Sequence, residues 1–588
     1  MKKICTILLM SMMCLDAMAQ NGYFLANRHD YFFDMDELVA SEGLYLPQNK
    51  PNPFNGSTDV YLAVVDDAEV SVVAADVFGS VEAQYRGSLE PGVHRLRLTL
   101  RSKGTHVLGV HQNGKSRSIV VICNEGGATN RIEHVQFVEA IDLELFQQLL
   151  NEDKAEDFVG YGAVQSAKHD QTTAVGDFRV ALSLSPFTLN QFDAGYTFKV
   201  DDKTATTPAE LQQIYQSLGS TEMYVRLATK RHKTYNPDGT LDNTTDGKAD
   251  ENANVHTFDQ VMQTCRIAAS LNIPINPEVM CAYIYMDMDG TQAPRFYKSD
   301  YPELYDKPEF ATIMKDGEAK WEELSLDEIC KALEIYGEFV ADSILATGAT
   351  VNDWNLGNEA NFGFAGIGIG TPNSFDQTLA KAGQLKRYMS SLFSLYWLKK
   401  HVWCYNVKQY AAIKKGILKA YEKRNMDTSN VRFSTHIATV TSTPRATASY
   451  FKFMAENGYA VDVAGISYYP SAPAMSFNKK KMLTKTVTRI NKKCGMPVFI
   501  GEFSYPSQDM VGPFAGWNQQ LGSYVKNQQG QADIYRDVIA WGKNHGLIGI
   551  RYWAPDYEGE WYPMSMFTFE NKVGTAKTIL LNHKEIVQ

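Results

Sequence analysis

Trp354-Asn355-Leu356-Gly357-Asn358-Glu359 reads as a short apolar strand that runs out into a glycine, an amide and a carboxylate. The stretch before it, Leu326 to Ala346, carries apolar residues at helical spacing. Working outward in both directions, the same alternation recurs. Strand candidates stand at Phe178 to Ser185, Met223 to Leu227, Ile273 to Met280, Asp353 to Leu356, Arg432 to Ile437, Val463 to Tyr468, Pro497 to Glu502 and Ile548 to Trp553. Further helical stretches lie at Pro208 to Leu218, Phe258 to Leu271, Thr443 to Asn457 and Ala532 to His545. Eight strands alternating with helices predict a (β/α)₈ barrel, here over residues 177–588 with insertions.

A barrel of this kind carries its reactive groups at the C-terminal ends of its strands. Strand four ends in Glu359, and Val498-Phe499-Ile500-Gly501-Glu502 ends strand seven in a second glutamate. The two are remote in the chain, and barrel closure brings them to one mouth. Retaining glycoside hydrolysis needs such a pair about 5–5.5 Å apart. One carboxyl is protonated and donates to the leaving oxygen, while the other is ionised and attacks the anomeric carbon. Two neighbouring carboxyls in unequal surroundings sustain both states.

Other strand ends supply candidate partners. Asn358 is placed to hold a sugar 2-hydroxyl. Arg226 on strand two is a candidate to hydrogen-bond Glu502 and keep it ionised, the alternative being an ordinary ion pair. His436 on strand five is read as orienting the acid or binding sugar, with a satisfied core histidine as the alternative. Tyr468 on strand six is a candidate hydroxyl donor to Glu502, or simply a packed ring. Trp553 on strand eight offers a ring face to a sugar, or fills the core.

Upstream of the barrel the pattern is all-β. Asp59 to Val65, Glu69 to Val77, His94 to Leu100, His106 to His111 and Ser116 to Ile122 are short runs rich in Val and Leu, separated by Phe78-Gly79, Pro91-Gly92 and Asn113-Gly114. They predict a small sandwich at 45–123, after an N-terminal segment at 20–44 and before a connector at 124–176. The first 19 residues have the form of an export signal: Lys2 and Lys3, an apolar run from Ile4 to Leu15, and Ala17-Met18-Ala19. Export to the periplasm, the cell surface or the medium is therefore expected.

Composition narrows the function classes. The net charge of -10 on 588 residues argues against nucleic acid as a partner, since phosphates demand a basic face. No later apolar run reaches transmembrane length. No phosphate loop, dinucleotide fingerprint or Ser-His-Asp motif stands out, and neither a cofactor nor a metal is expected. Asp238, Asp242, Asp246 and Asp250 share a polar loop, but their spacing is not that of an EF-hand, so a solvated insertion is the plainer reading than Ca²⁺. Six scattered cysteines follow the leader, and most read as buried free thiols. Oligomeric state is not legible.

The motifs also carry a family resemblance. An Asn-Glu pair on strand four with a Glu closing strand seven resembles the clan A glycoside hydrolases, in which the first Glu is acid/base and the second is nucleophile. Within that clan, Asn355-Leu356-Gly357-Asn358-Glu359, Asp462-Val463-Ala464-Gly465-Ile466-Ser467-Tyr468-Tyr469-Pro470, Gly501-Glu502-Phe503-Ser504-Tyr505-Pro506 and Gly549-Ile550-Arg551-Tyr552-Trp553-Ala554-Pro555 are similar to motifs of glycoside hydrolase family 53, the endo-β-1,4-galactanases. Tyr224-Val225-Arg226-Leu227 and Ser434-Thr435-His436-Ile437-Ala438 fit that family's strands two and five. The resemblance implies a retaining endo-hydrolase of β-1,4-galactan and a polysaccharide as its partner. Strand one lacks the family's Gly-x-Asp-x-Ser, and the loop from Asn361 to Thr371 lacks the usual Trp. Another β-linked glycan, such as mannan or glucan, therefore remains an alternative. So does a non-catalytic surface glycan-binding protein, although such a protein has no need of both Glu359 and Glu502. Upstream, Leu46 to Thr58 resembles the opening of the Ig-like modules that serve as type IX secretion sorting tails, which implies an Ig-like fold at 45–123.

Overall fold

The computed structural model describes residues 38–39, 41–47, 49, 51–144, 146–147, 150, 178–245, 247–287, 290–368, 376, 395–440, 442–472 and 479–588. The expected export signal at 1–19 lies outside the described residues. The chain divides into two compact units, the first comprising 1–156 with 392–396 and 475–477, the second the remainder.

The first unit is a sandwich of two sheets. Phe54–Val64 takes part in both: its first residues pair in parallel with Lys115–Gly126, and the rest pairs antiparallel with Gly92–Thr99. One sheet continues through Gly104–Gln112 and Ala68–Asp76 to Val81–Leu89. The other continues from Gly92–Thr99 to Arg131–Glu139. Alternating residues fill the space between them: Leu62, Val70, Val72, Leu96, Leu98, Leu108, Val110, Ile119 and Val121 are fully buried.

Two of these strands were not expected. Val81–Leu89 and Arg131–Glu139 are each the last strand of a sheet. Few of their side chains are buried (Ala83 and Leu89 in one, Ile132 in the other), so neither shows the apolar alternation by which a strand is read. The second lies inside the stretch 124–176 read as a connector, so the strands run on to Glu139, past the expected end at 123.

The second unit is the barrel. Its parallel strands are Arg179–Ala181, Met223–Leu227, Ile275–Val279, Asp353–Leu356, Arg432–Ala438, Val463–Tyr468, Val498–Phe503 and Leu547–Tyr552, in sequence order around the sheet. These are strands one to eight below. Strands one and two close the ring through Thr221 N to the Val180 carbonyl at 2.8 Å and Tyr224 N to Ser183 Oγ at 3.3 Å. Every residue of strands two, three, four, six and seven is buried, as a sheet wrapped in helices requires.

The helices start where local chemistry dictates. Thr207 and Ser325 each close a capping box with a glutamate three residues on, and Pro208 sits in a first turn that needs no donor. The helix Cys404–Lys423 was missed from sequence. It packs on Leu326–Ala346 at backbone contact: a Cβ on Gly416 would meet the Glu334 carbonyl at 1.9 Å. A four-stranded sheet of Thr197–Val200, Lys203–Ala205, Phe567–Glu570 and Val573–Ala576 is a further element that the barrel pattern does not contain. The six cysteines from Cys123 to Cys494 are free thiols; three are buried, while Cys330, Cys404 and Cys494 are partly exposed. Among the described residues no helix is long and apolar enough to cross a membrane.

Candidate active site

The C-terminal half of the barrel interior is polar. Arg226 on strand two stands beside Glu278 on strand three, Glu278 beside Asn355 on strand four, and Asn355 beside Ser434 on strand five. These in-register neighbours bond one another. Arg226 Nε donates to Glu278 Oε2 at 2.7 Å, Asn355 Nδ2 to Glu278 Oε1 at 3.1 Å, and Ser434 Oγ to Asn355 Oδ1 at 3.1 Å. From across the ring, Arg551 Nη1 on strand eight reaches Glu278 Oε2 at 3.1 Å. Burial opposes ionisation of Glu278, but the guanidiniums of Arg226 and Arg551 hold its carboxyl well below the usual carboxylate range.

Glu502, 5 % exposed at the end of strand seven, takes two donors. The other arm of Arg226 donates to Oε1 and the Tyr469 hydroxyl donates to Oε2. Arg226 thus reaches Glu502, with a second carboxylate, Glu278, on the same guanidinium. The expectation for Tyr468 is corrected: the hydroxyl that reaches Glu502 belongs to Tyr469. Side chains alternate along a strand, so Ser467 and Tyr469 point into the barrel together. Tyr468 points away and sets its ring 6.2 Å from that of Phe503.

Glu359 follows strand four through a sharp change of backbone. Gly357 has φ 85° and Glu359 itself has φ 46°, a left-handed conformation uncommon for a residue with a Cβ and frequent at functional sites. Ser467 Oγ donates to its Oε1 at 2.5 Å. Among the described residues no lysine or arginine is ion-paired with it. Burial, then the neighbouring charge of Glu502, pushes the Glu359 carboxyl up to about 8, against the pull of the Ser467 hydroxyl. The two glutamates thus stand in opposite surroundings. Glu502 is held by a cation and a hydroxyl, whereas Glu359 is desolvated beside a like charge.

The other predicted residues gather at the same place. Asn358 accepts from Arg226 Nη2 at 2.9 Å and donates to the Met286 carbonyl at 2.6 Å, so it fixes Arg226 as well as lying next to Glu359. His436 is 1 % exposed, with Nδ1 3.1 Å from Glu278 Oε1 and Nε2 2.7 Å from Ser467 Oγ. It therefore touches the acid candidate through Ser467. Trp553 is 8 % exposed, and its ring carries the Arg226 guanidinium at 4.0 Å and that of Arg551 at 4.8 Å. Trp553 and Tyr469 belong to an aromatic cluster with Trp561, Trp517 and Phe514, in which Trp517 and Phe514 are only partly buried.

Glu278, Ser467, Tyr469 and Arg551 were not singled out from sequence, although Ser467, Tyr469 and Arg551 lie inside the quoted motifs. Glu278 had one usable signal, the single charge in the strand Ile275–Val279. Glu278, His436 and Glu502 bring ligand-type atoms within 4.8 Å of one another. Their oxygens and nitrogens are engaged by Arg226, Arg551, Asn355, Ser467 and Tyr469, so the trio reads as an ion-pair and hydrogen-bond network. In the Asp238 loop, Asp238 accepts from Thr240, Asp242 from Thr244 and Asp250 from Asn252, each closing a local turn. Asp246 lies outside the described residues.

A (β/α)₈ barrel with two glutamates at the ends of strands four and seven is the architecture of a glycoside hydrolase. Residues 314–583 match the model of glycosyl hydrolase family 53, a span that takes in strands four to eight and both glutamates. Solved structures similar to the chain include one from a study of two fungal β-1,4-galactanases (13 % identity, 69 % of this chain and 99 % of that one, TM-score 0.47). A family 53 catalytic domain from Ignisphaera aggregans is 15 % identical over 72 % of this chain and 99 % of that one, with TM-score 0.48. A β-glucuronidase from Ruminococcus gnavus is 10 % identical over 93 % of this chain and 67 % of that one, with TM-score 0.32. No curated protein matches the chain.

Proposed function

We propose that this glycoside hydrolase cleaves β-1,4-linked galactan in endo fashion by double displacement, with Glu359 as acid/base and Glu502 as nucleophile. One observation carries the assignment: the two carboxyls sit in opposite electrostatic surroundings. Glu359 is raised to about 8 by burial and by Glu502, and so holds a proton at neutral pH. Glu502 accepts hydrogen bonds from Arg226 and Tyr469.

In the first step Glu502 attacks the anomeric carbon while Glu359 passes its proton to the leaving oxygen. The leaving sugar departs and a glycosyl ester on Glu502 remains. In the second step Glu359, now a carboxylate, takes a proton from water as the water attacks the same carbon. The ester breaks, Glu502 is released, and the anomeric configuration is retained. Galactan as substrate rests on the family match and on the Asp462 to Pro470 and Gly549 to Pro555 motifs. The leader-like start of the chain supports export, which a polymer too large to enter a cell requires. The loop after Glu359, without the family's usual Trp, is the specific feature that favours a different β-linked glycan. Reducing-end release from galactan, arabinogalactan, mannan and mixed β-glucan decides between them. Galactan is the expected substrate. Release from mannan or glucan alone contradicts the specificity, and release from none supports the binding-protein reading.

A further inference from the structure

Glu359 is one end of a hydrogen-bonded row that leads out of the cleft into the barrel wall. Ser467 Oγ lies 2.5 Å from Glu359 Oε1, His436 Nε2 lies 2.7 Å from Ser467 Oγ, and Glu278 Oε1 lies 3.1 Å from His436 Nδ1. Ser467 and Glu278 are fully buried and His436 nearly so. The imidazole fits because strands six and seven have glycine beside it: a Cβ on Gly465 would stand 3.2 Å from His436 Cβ, and one on Gly501 would stand 3.3 Å from its ring.

The proton count of this row is constrained. Glu278 already faces Arg226 and Arg551, so it is an acceptor and Nδ1 of His436 must carry a hydrogen. Ser467 has a single hydrogen to give. When Glu359 is a carboxylate, that hydrogen points to Glu359, and Ser467 then accepts from a protonated Nε2. When Glu359 carries its proton on Oε1, the row reverses: Glu359 donates to Ser467, and Ser467 donates to a bare Nε2. Both arrangements contain the same number of protons. They differ by one proton leaving Glu359 for Ser467 while the Ser467 hydrogen moves to His436. They also keep the buried cluster neutral, since Arg226 and Arg551 balance Glu278 and Glu502, and either a neutral pair or an ion pair of Glu359 and His436 completes it.

We propose that Ser467 and His436, held by Glu278, form a proton relay that positions and tunes the acid/base, with His436 able to hold the proton of Glu359 until that proton passes to the leaving oxygen. The inference rests on Glu359 being the acid/base. Ser467 and His436 are positioning residues and touch no substrate. The other groups facing Glu359 are Glu502, Asp287, Arg226, Tyr285 and Tyr469, and none of them lies between it and His436 in the row.

The direct test is the ¹⁵N signature of the His436 ring in the full-length protein, assigned through His436→Gln and followed against pH. The relay predicts a persistent proton on Nδ1 and an Nε2 that loses its share of the mobile proton in the same step in which Glu359 titrates. Glu359→Gln and Ser467→Ala should each abolish that coupling, and Ser467→Thr, which keeps a hydroxyl, should preserve it. A kinetic arm reads the same row. Ser467→Ala removes a donor to Glu359, so the basic limb of kcat/KM should move to higher pH and turnover limited by the second step should fall about tenfold. Ser467→Thr should restore both. An Nε2 that ignores Glu359→Gln, or a basic limb unmoved by Ser467→Ala, overturns the relay. If Ser467→Ala does not fold, the comparison of wild type with Glu359→Gln still decides it. A coupled His436 in an enzyme whose Glu359→Ala variant behaves as a nucleophile knockout shows instead that the roles of the glutamates are wrong.

Discussion

The Tyr469 hydroxyl donates to Oε2 of Glu502, on the side of the carboxylate that Arg226 leaves open. Burial and the charges of Glu502 and Glu359 raise the Tyr469 hydroxyl well above its ordinary value, so it remains a donor throughout the working range. A hydrogen bond to a charged group contributes about 1.5–3 kcal/mol. Tyr469→Phe should therefore lower kcat by about ten- to a hundredfold. Tyr468→Phe, whose ring packs outside the barrel lumen, should stay close to wild type. Steady-state kinetics on both variants checks this, and equal losses would contradict the assignment of the two tyrosines.

Glu278 anchors two buried guanidiniums and the His436 ring. Glu278→Ala takes one of two carboxylates from Arg226, which keeps Glu502 and Asn358, and removes the carboxylate that Arg551 meets in a dry interior. The expected loss is about 3–5 kcal/mol of stability, read as a lower urea midpoint at unchanged slope. Glu278→Gln keeps the volume and should lose less, yet activity should still fall because Arg226 is no longer fixed towards Glu502.

Lys577 gives a pH-dependent stability that is separate from catalysis. Burial pulls its amine down to about 7, and its contacts are the Ser565 carbonyl at 2.7 Å and the Tyr562 ring at 5.0 Å. Between about 7 and the ordinary lysine value of 10.5, the unfolded chain binds this proton and the folded one does not. Stability from this group therefore rises with pH across that window, and its full cost is present below it. Lys577→Met should raise Tm at pH 6 by about 2–4 °C for each kcal/mol relieved. The gain should fade towards pH 10.5. A constant gain at all pH values would show that packing, not charge, is responsible.

A crystal structure with a glycosyl ester trapped on Glu502 tests the geometry. A retaining enzyme places the two carboxyls about 5–5.5 Å apart in the free state, and a separation near 9 Å belongs to inversion.

Much of the barrel was legible because its strands are short apolar runs and its helices carry apolar residues at helical spacing. Strand and helix bounds fall within a few residues of the expected ones, and Glu359, Glu502, Arg226, Asn358, His436 and Trp553 do meet at one mouth. What escaped depended on facts the chain does not display. The parity of strand six decides between Tyr468 and Tyr469, and the register with strand seven shifts between Ile466 and Ser467. Glu278 takes its place in the site through neighbours on strands two, four, five and eight. The sandwich strands Val81–Leu89 and Arg131–Glu139 are last in their sheets, and half-exposed strands lose the alternation that marks the inner ones.

The central claim is that Glu359 is the acid/base and Glu502 the nucleophile, and azide rescue tests it most directly. The measurement is turnover of an activated aryl galactoside of suitable length by Glu359→Ala and by Glu502→Ala, with product stereochemistry read by NMR. The account predicts that azide restores Glu359→Ala and gives a glycosyl azide of retained configuration, because Glu502 still forms the ester. Any rescue of Glu502→Ala should give the inverted azide, from direct attack on the opposite face. Inverted product from Glu359→Ala, or retained product from Glu502→Ala, would contradict the assignment.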